Sequence, residues 1–117
     1  MKAEYWQDLG RRAVACEYWR WLPGMLCIPV GGGLPIRYNG IPSRDMSSAG
    51  NVRYIPNFRD PATLGCLLAL VREIHGDDVH TTPDNTGCGW WVEGLSEIGL
   101  IHATEAEALV AALEAAP

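Results

Sequence analysis

The chain has 117 residues, 48% of them apolar and 20% charged, with 14 acidic against 9 basic side chains and a net charge of -5. At roughly 100 to 200 residues per domain this length allows one domain with its own core and excludes a second. No apolar run approaches the roughly 20 residues that span a bilayer, the start Met1-Lys2-Ala3-Glu4 lacks the basic-then-apolar pattern of an export signal, and the acidic balance opposes binding of long nucleic acid, so a cytoplasmic protein without membrane or nucleic-acid contacts is expected.

In chain order, Ala3 to Glu17 carries Leu9, Ala13 and Cys16 on one helical stripe, flanked by Tyr5, Trp6 and Val14, and predicts a first helix. Tyr18-Trp19-Arg20-Trp21-Leu22 alternates aromatic and polar residues up to the turn dipeptide Pro23-Gly24 and predicts a short strand. Met25 to Val30 and Leu34 to Tyr38 flank Gly31-Gly32-Gly33 as a hairpin, with Pro29 and Pro35 directing the strands to sheet edges. From Asn39 to Asn57 the breakers Gly40, Pro42, Ser43, Gly50 and Pro56 predict a long loop with room for one strand at Val52 to Ile55.

The clearest element is a helix from Asp60 to His75: Asp60 can cap it, Pro61 suits its first position and Gly76 stops it. Its expected core stripe is Leu64, Leu67, Leu68, Val71 and Ile74. Val79 to Thr82 and Trp90 to Leu95 then read as a hairpin across the turn-rich stretch from Pro83 to Gly89, and Ile98 to His102 can add a strand. Thr104 and Glu107 form a capping box ahead of a last helix with Ala106, Leu109, Val110 and Leu113 on its apolar face. The class is therefore α+β: a single domain over 1–117, a small, largely antiparallel sheet flanked by three helices, and a long loop insert at about 31–57. The cysteines Cys16, Cys27, Cys66 and Cys88 form no C-x-x-C pair. They are expected as reduced thiols rather than zinc ligands, with Cys16 and Cys66 packed on apolar helix faces.

Trp19-Arg20-Trp21, Asp60 with the helix Leu64 to Glu73, Trp90-Trp91-Val92, and Ala103-Thr104 to Leu113 follow a layout that resembles the phage ABA-sandwich family of small phage and prophage proteins. The resemblance implies a three-layer sandwich and a viral protein acting in the cytoplasm of an infected bacterial host. It transfers no catalytic residues, because the shared pattern consists of core and capping positions, and the insert between Gly31 and Asn57 departs from it.

Three constellations could carry chemistry. In the first, Arg37, Tyr38, Arg44, Ser47, Ser48, Asn51, Arg53, Tyr54 and Arg59 interleave guanidinium forks with rings, a composition suited to a small phosphorylated, nucleotide-type ligand. The second is Trp90-Trp91: strand neighbours point to opposite faces, so one indole serves the core while the other is covered by a helix, a ligand or another subunit. The third is the repeated His-x-Thr of His80 to Thr82 and His102 to Thr104, similar to the paired motifs of two-histidine phosphodiesterases, although the copies are close together and Thr104 already has a capping role. No P-loop, G-x-G-x-x-G, G-x-S-x-G or H-E-x-x-H is present, so neither cofactor nor catalytic metal is expected. The expectation is a non-enzymatic, homo-oligomeric phage protein that sequesters a nucleotide-derived immune signal. The alternative is an acidic inhibitor of a host defence protein.

Overall fold

Asp60 caps the central helix as its place before Pro61 requires: its carboxylate accepts the Thr63 backbone N–H at 3.1 Å and the Thr63 hydroxyl at 2.7 Å. This helix, α2 (Pro61–His75), stops where Gly76 takes φ of 115°, a conformation favouring glycine. The other helices are α1 (Ala3–Val14) and α3 (Glu105–Glu114), the latter capped by Thr104 Oγ1, which accepts the Glu107 N–H at 3.1 Å. The strands are β1 (Leu26–Pro29), β2 (Ile36–Arg37), β3 (Tyr54–Pro56), β4 (His80–Pro83) and β5 (Trp90–Glu93). The computed structural model describes residues 2–31, 33–40, 54–85, 87, 89–94 and 101–116. Cys88, Leu95 and most of the expected strand from Ile98 lie outside them, as does the 41–53 part of the insert expected at about 31–57.

The α+β class holds, with three helices on antiparallel strands, and the strands divide between two sheets: one of order β2-β1-β3, the other β4-β5. The first contains the expected hairpin, with Leu26 opposite Arg37 and Cys27 opposite Ile36; β3 joins β1 on its other edge, setting Ile28 against Ile55. In the second, His80 faces Glu93 and Thr82 faces Trp91, and a single bridge from His102 to Trp90 extends β5.

α3 packs on α1, α2, β4 and β5. Ala106, Ala108, Leu109, Val110, Ala112 and Leu113 are all buried, so this helix is apolar nearly all round, and its alanines let neighbours approach closely. On α2 the buried residues are Thr63, Leu67, Leu70 and Val71, while Leu64, Leu68 and Ile74 are half-buried against the same core. The core face is thus turned by about one residue from the expected stripe, because Leu occurs on both sides of it. Leu67, Leu109 and Leu113 are fully enclosed, as expected; Leu68 is not. Cys16 and Cys66 pack partly buried on the core and Cys27 is buried, all three as free thiols.

Residues 18–22 form no strand, although the sequence predicts one. α1 ends at Val14, and backbone hydrogen bonds from Cys16 to Ala13 and from Trp19 to Cys16 turn the chain. The alternating aromatics instead find partners through side chains. Trp19 meets Trp21 edge-on at 5.4 Å and Phe58 at 6.3 Å, so the apolar pattern is satisfied without a ladder. No helix among the described residues is long and apolar enough to cross a membrane.

Candidate functional site

A cavity of about 120 Å³ opens where α1 crosses the three-stranded sheet. Residues opposite each other in an antiparallel pair share a face, so Ile28 and Ile55 project together toward α1. Gly10 lets the helix settle there: a Cβ at this position would lie 2.8 Å from the Pro56 carbonyl oxygen and 3.2 Å from Ile55 Cβ. One helical turn earlier, Trp6 stands over the sheet. Its indole, Ala3, Gln7, Ile28, Ile55, Pro56, Asn57 and Arg59 line the cavity. The Arg59 guanidinium carbon sits 5.9 Å from the centre of the Trp6 ring, within cation-π range. Asn57 Oδ1 accepts the Arg59 backbone N–H at 3.1 Å, tightening the turn from which Arg59 extends, and Tyr5 packs edge-on to Trp6 at 5.3 Å.

Among the described residues of the ring-and-guanidinium set read from the sequence, only Arg59 lines this cavity. Arg37 Nη1 binds Asp60 Oδ2 at 2.5 Å and the Gly24 carbonyl at 2.9 Å, so its charge is answered by the helix cap. Tyr38 is half-buried with its ring 6.5 Å from Trp21. Tyr54, one residue from Ile55 in β3, faces the other side of the sheet. Trp90 and Trp91 belong to the second sheet: Trp90 shares the inward face with buried Val92 and packs on the core, and Trp91, half-buried, shares the outward face with Glu93. Arg44, Ser47, Ser48, Asn51 and Arg53 lie outside the described residues. Sequence reading placed Trp6 beside a helix stripe and passed over Asn57. The available signal was a Trp four residues before a helical Gly, a pairing that lets a backbone approach while a ring overhangs it.

The two His-x-Thr histidines do not meet on one face. His80 is paired with Glu93 and His102 with Trp90, and Trp90 and Glu93 are three residues apart on one strand, which places the imidazoles on opposite sides. His80 donates its Nδ1–H to the Asp78 carbonyl at 2.9 Å and lies 2.8 Å from Glu93 through Nε2; these contacts, the backbone one first, raise its pKa. His102 Nδ1 is 3.5 Å from Glu107, whose other oxygen accepts the Tyr5 hydroxyl at 2.5 Å; Tyr5 also meets Thr104 Oγ1 at 2.8 Å. Burial and then the Glu107 contact push the Tyr5 pKa up, so it remains a donor tying α1 to the start of α3. Among the described residues no group of three His, Cys, Asp or Glu is placed to hold a metal ion.

The Arg37 guanidinium, ahead of the Thr63 hydrogen bonds, holds the Asp60 carboxyl below the usual carboxylate range. The stability this cap supplies is therefore complete above the unfolded value, about pH 4, and is lost as pH falls through the lower folded value. We expect Asp60→Ala to lower stability at neutral pH by about 0.5–2 kcal/mol. The difference from the parent should shrink toward zero at strongly acidic pH, as read from urea midpoints at each pH; a gap that stays constant rules out the linkage.

No family model, curated protein or solved structure matches the chain.

Proposed function

We propose that the chain is a non-enzymatic phage or prophage binding protein that counters host defence by sequestering a small nucleotide-derived signal, with the Trp6 and Arg59 cavity as its site. One observation carries the reading: Arg59 has no acidic partner among the described residues, and its guanidinium is held over an indole at an apolar cavity. A guanidinium so placed can take a phosphate while the indole, Ile28 and Ile55 receive a ring. Pockets that enclose a whole small ligand measure roughly 300–1,000 Å³. A cavity of about 120 Å³ therefore holds a ring but leaves the rest of a nucleotide uncovered, which fits completion by a second copy in a twofold dimer.

A second reading, an acidic inhibitor that covers a host protein, is favoured by two other observations. Arg37 is engaged by Asp60 rather than left for a ligand, and the β1–β2 hairpin exposes Val30, Leu34 and Ile36, with Leu34 85% accessible, on a chain of net charge -5.

Mixing the protein with cyclic oligonucleotides and cyclic ADP-ribose isomers, desalting and then heating separates the readings. Release of an intact ligand, from a complex whose light-scattering mass is that of two chains, supports sequestration. Arg59→Ala should weaken that binding at least about tenfold, some 1.4 kcal/mol, and leave the melting temperature of the free protein unchanged. A cleaved product overturns the non-enzymatic assignment, and retention of no ligand leaves the inhibitor reading.

A further inference from the structure

The C-terminal ends of α1 and α3 open onto a second cavity, of about 270 Å³, walled by Arg12, Cys16, Glu17 and Tyr18 on one side and Leu113 and Glu114 on the other. A helix C-terminus carries the equivalent of roughly half a negative charge on its last carbonyl groups. Several of these are already answered, Arg11 O and Ala13 O by the turn after α1 and Arg12 O by the Cys16 thiol at 3.3 Å, so side chains decide the sign of the field. They are acidic. The single guanidinium, Arg12, is held by Glu114 through two hydrogen bonds of 2.6 and 3.2 Å, and Asp8 and Glu107 add to the negative field around it. Glu17, in the cavity wall, has no basic partner among the described residues. Tyr18, 44% exposed overall, is among the lining residues, and buried Leu113 adds apolar lining.

We propose that this cavity binds a small organic cation, a guanidinium or alkylammonium group, with Glu17 as counter-ion, the Tyr18 ring as its wall and Leu113 beneath its alkyl stem. Each contact is of a kind that favours the charged ligand over a neutral one of the same shape: an ion pair, a cation over a ring, and an apolar stem left below a charged head. An anion meets Glu17, Glu114 and two helix C-termini, with the one positive group already bonded to Glu114. The site is separate from the Trp6 and Arg59 cavity in residues and opposite to it in charge preference, so either assignment can fail without the other.

Cys16 in the wall reports occupancy. Its alkylation by iodoacetamide, followed by peptide mass spectrometry with Cys66 as internal control, should slow at least threefold with butylguanidinium and recover as salt is raised, while Cys66 is unaffected. Glu17→Gln should reduce the affinity at least threefold, the scale of an exposed ion pair. N-acetylarginine methylamide distinguishes the source of the cation: protection equal to that by butylguanidinium identifies a peptide-borne arginine as a ligand, and protection by butylguanidinium alone identifies a free amine-type molecule. Equal protection by uncharged butylurea, no protection by butylguanidinium, or unchanged affinity in Glu17→Gln overturns the proposal.

Discussion

Leu109→Ala is expected to lower the unfolding free energy by about 2–5 kcal/mol, a large part of what holds a domain of this size together. The side chain is fully enclosed, on the helix that packs against α1, α2 and the second sheet at once, so no neighbour can move into the space without leaving another contact. On α2 the same truncation should separate adjacent leucines. Leu67 is completely buried and Leu67→Ala should fall in the same range, whereas half-buried Leu68 loses less transfer energy and leaves a gap open to water. Urea unfolding at constant m measures both. Equal losses at Leu67 and Leu68 would show that the face of α2 is not the one described.

Gly10→Ala and Gly65→Ala should change stability in opposite directions. Both glycines are inside helices, where Ala is favoured over Gly by about 1 kcal/mol. Around Gly65 there is nothing within 4 Å of the added Cβ, so the gain in helix propensity is kept and the protein should be stabilised by up to about 1 kcal/mol. At Gly10 the Cβ would stand 2.8 Å from the Pro56 carbonyl oxygen and 3.2 Å from Ile55 Cβ. Pro56 belongs to a strand held by its ladder to β1, so backbone rather than a flexible side chain must yield. Overpacking of this kind costs about 1–3 kcal/mol and outweighs the propensity gain, giving a net loss of up to about 2 kcal/mol. The helix that carries Trp6 is also pushed off the sheet, so ligand binding at the Arg59 cavity should weaken with it. A stabilised Gly10→Ala protein would mean that α1 does not approach β3 so closely.

How much of this could be read from the residues alone depended on the range of the interaction. The limits of α2 were legible at Asp60, Pro61 and Gly76, and the start of α3 at Thr104 and Glu107, because a cap is a bond between residues two or three positions apart. The two hairpins and the α+β class were legible for a similar reason, since turn residues and short connections act locally. The face of α2 was not, because a helix with Leu at 64, 67, 68 and 70 presents apolar surface in several directions and only its neighbours choose among them. Trp19 and Trp21 show the same ambiguity: alternation fits a strand, but whether a ladder forms depends on a partner elsewhere in the chain. The candidate site lies at the far end of this scale. Arg37 and Arg59 are alike in sequence, both exposed arginines beside an aromatic residue, yet one closes on the cap of α2 and the other on an indole from the first turn of α1. A side chain's charge belongs to the sequence, but its partner is set by which distant segments the core brings within a few ångströms.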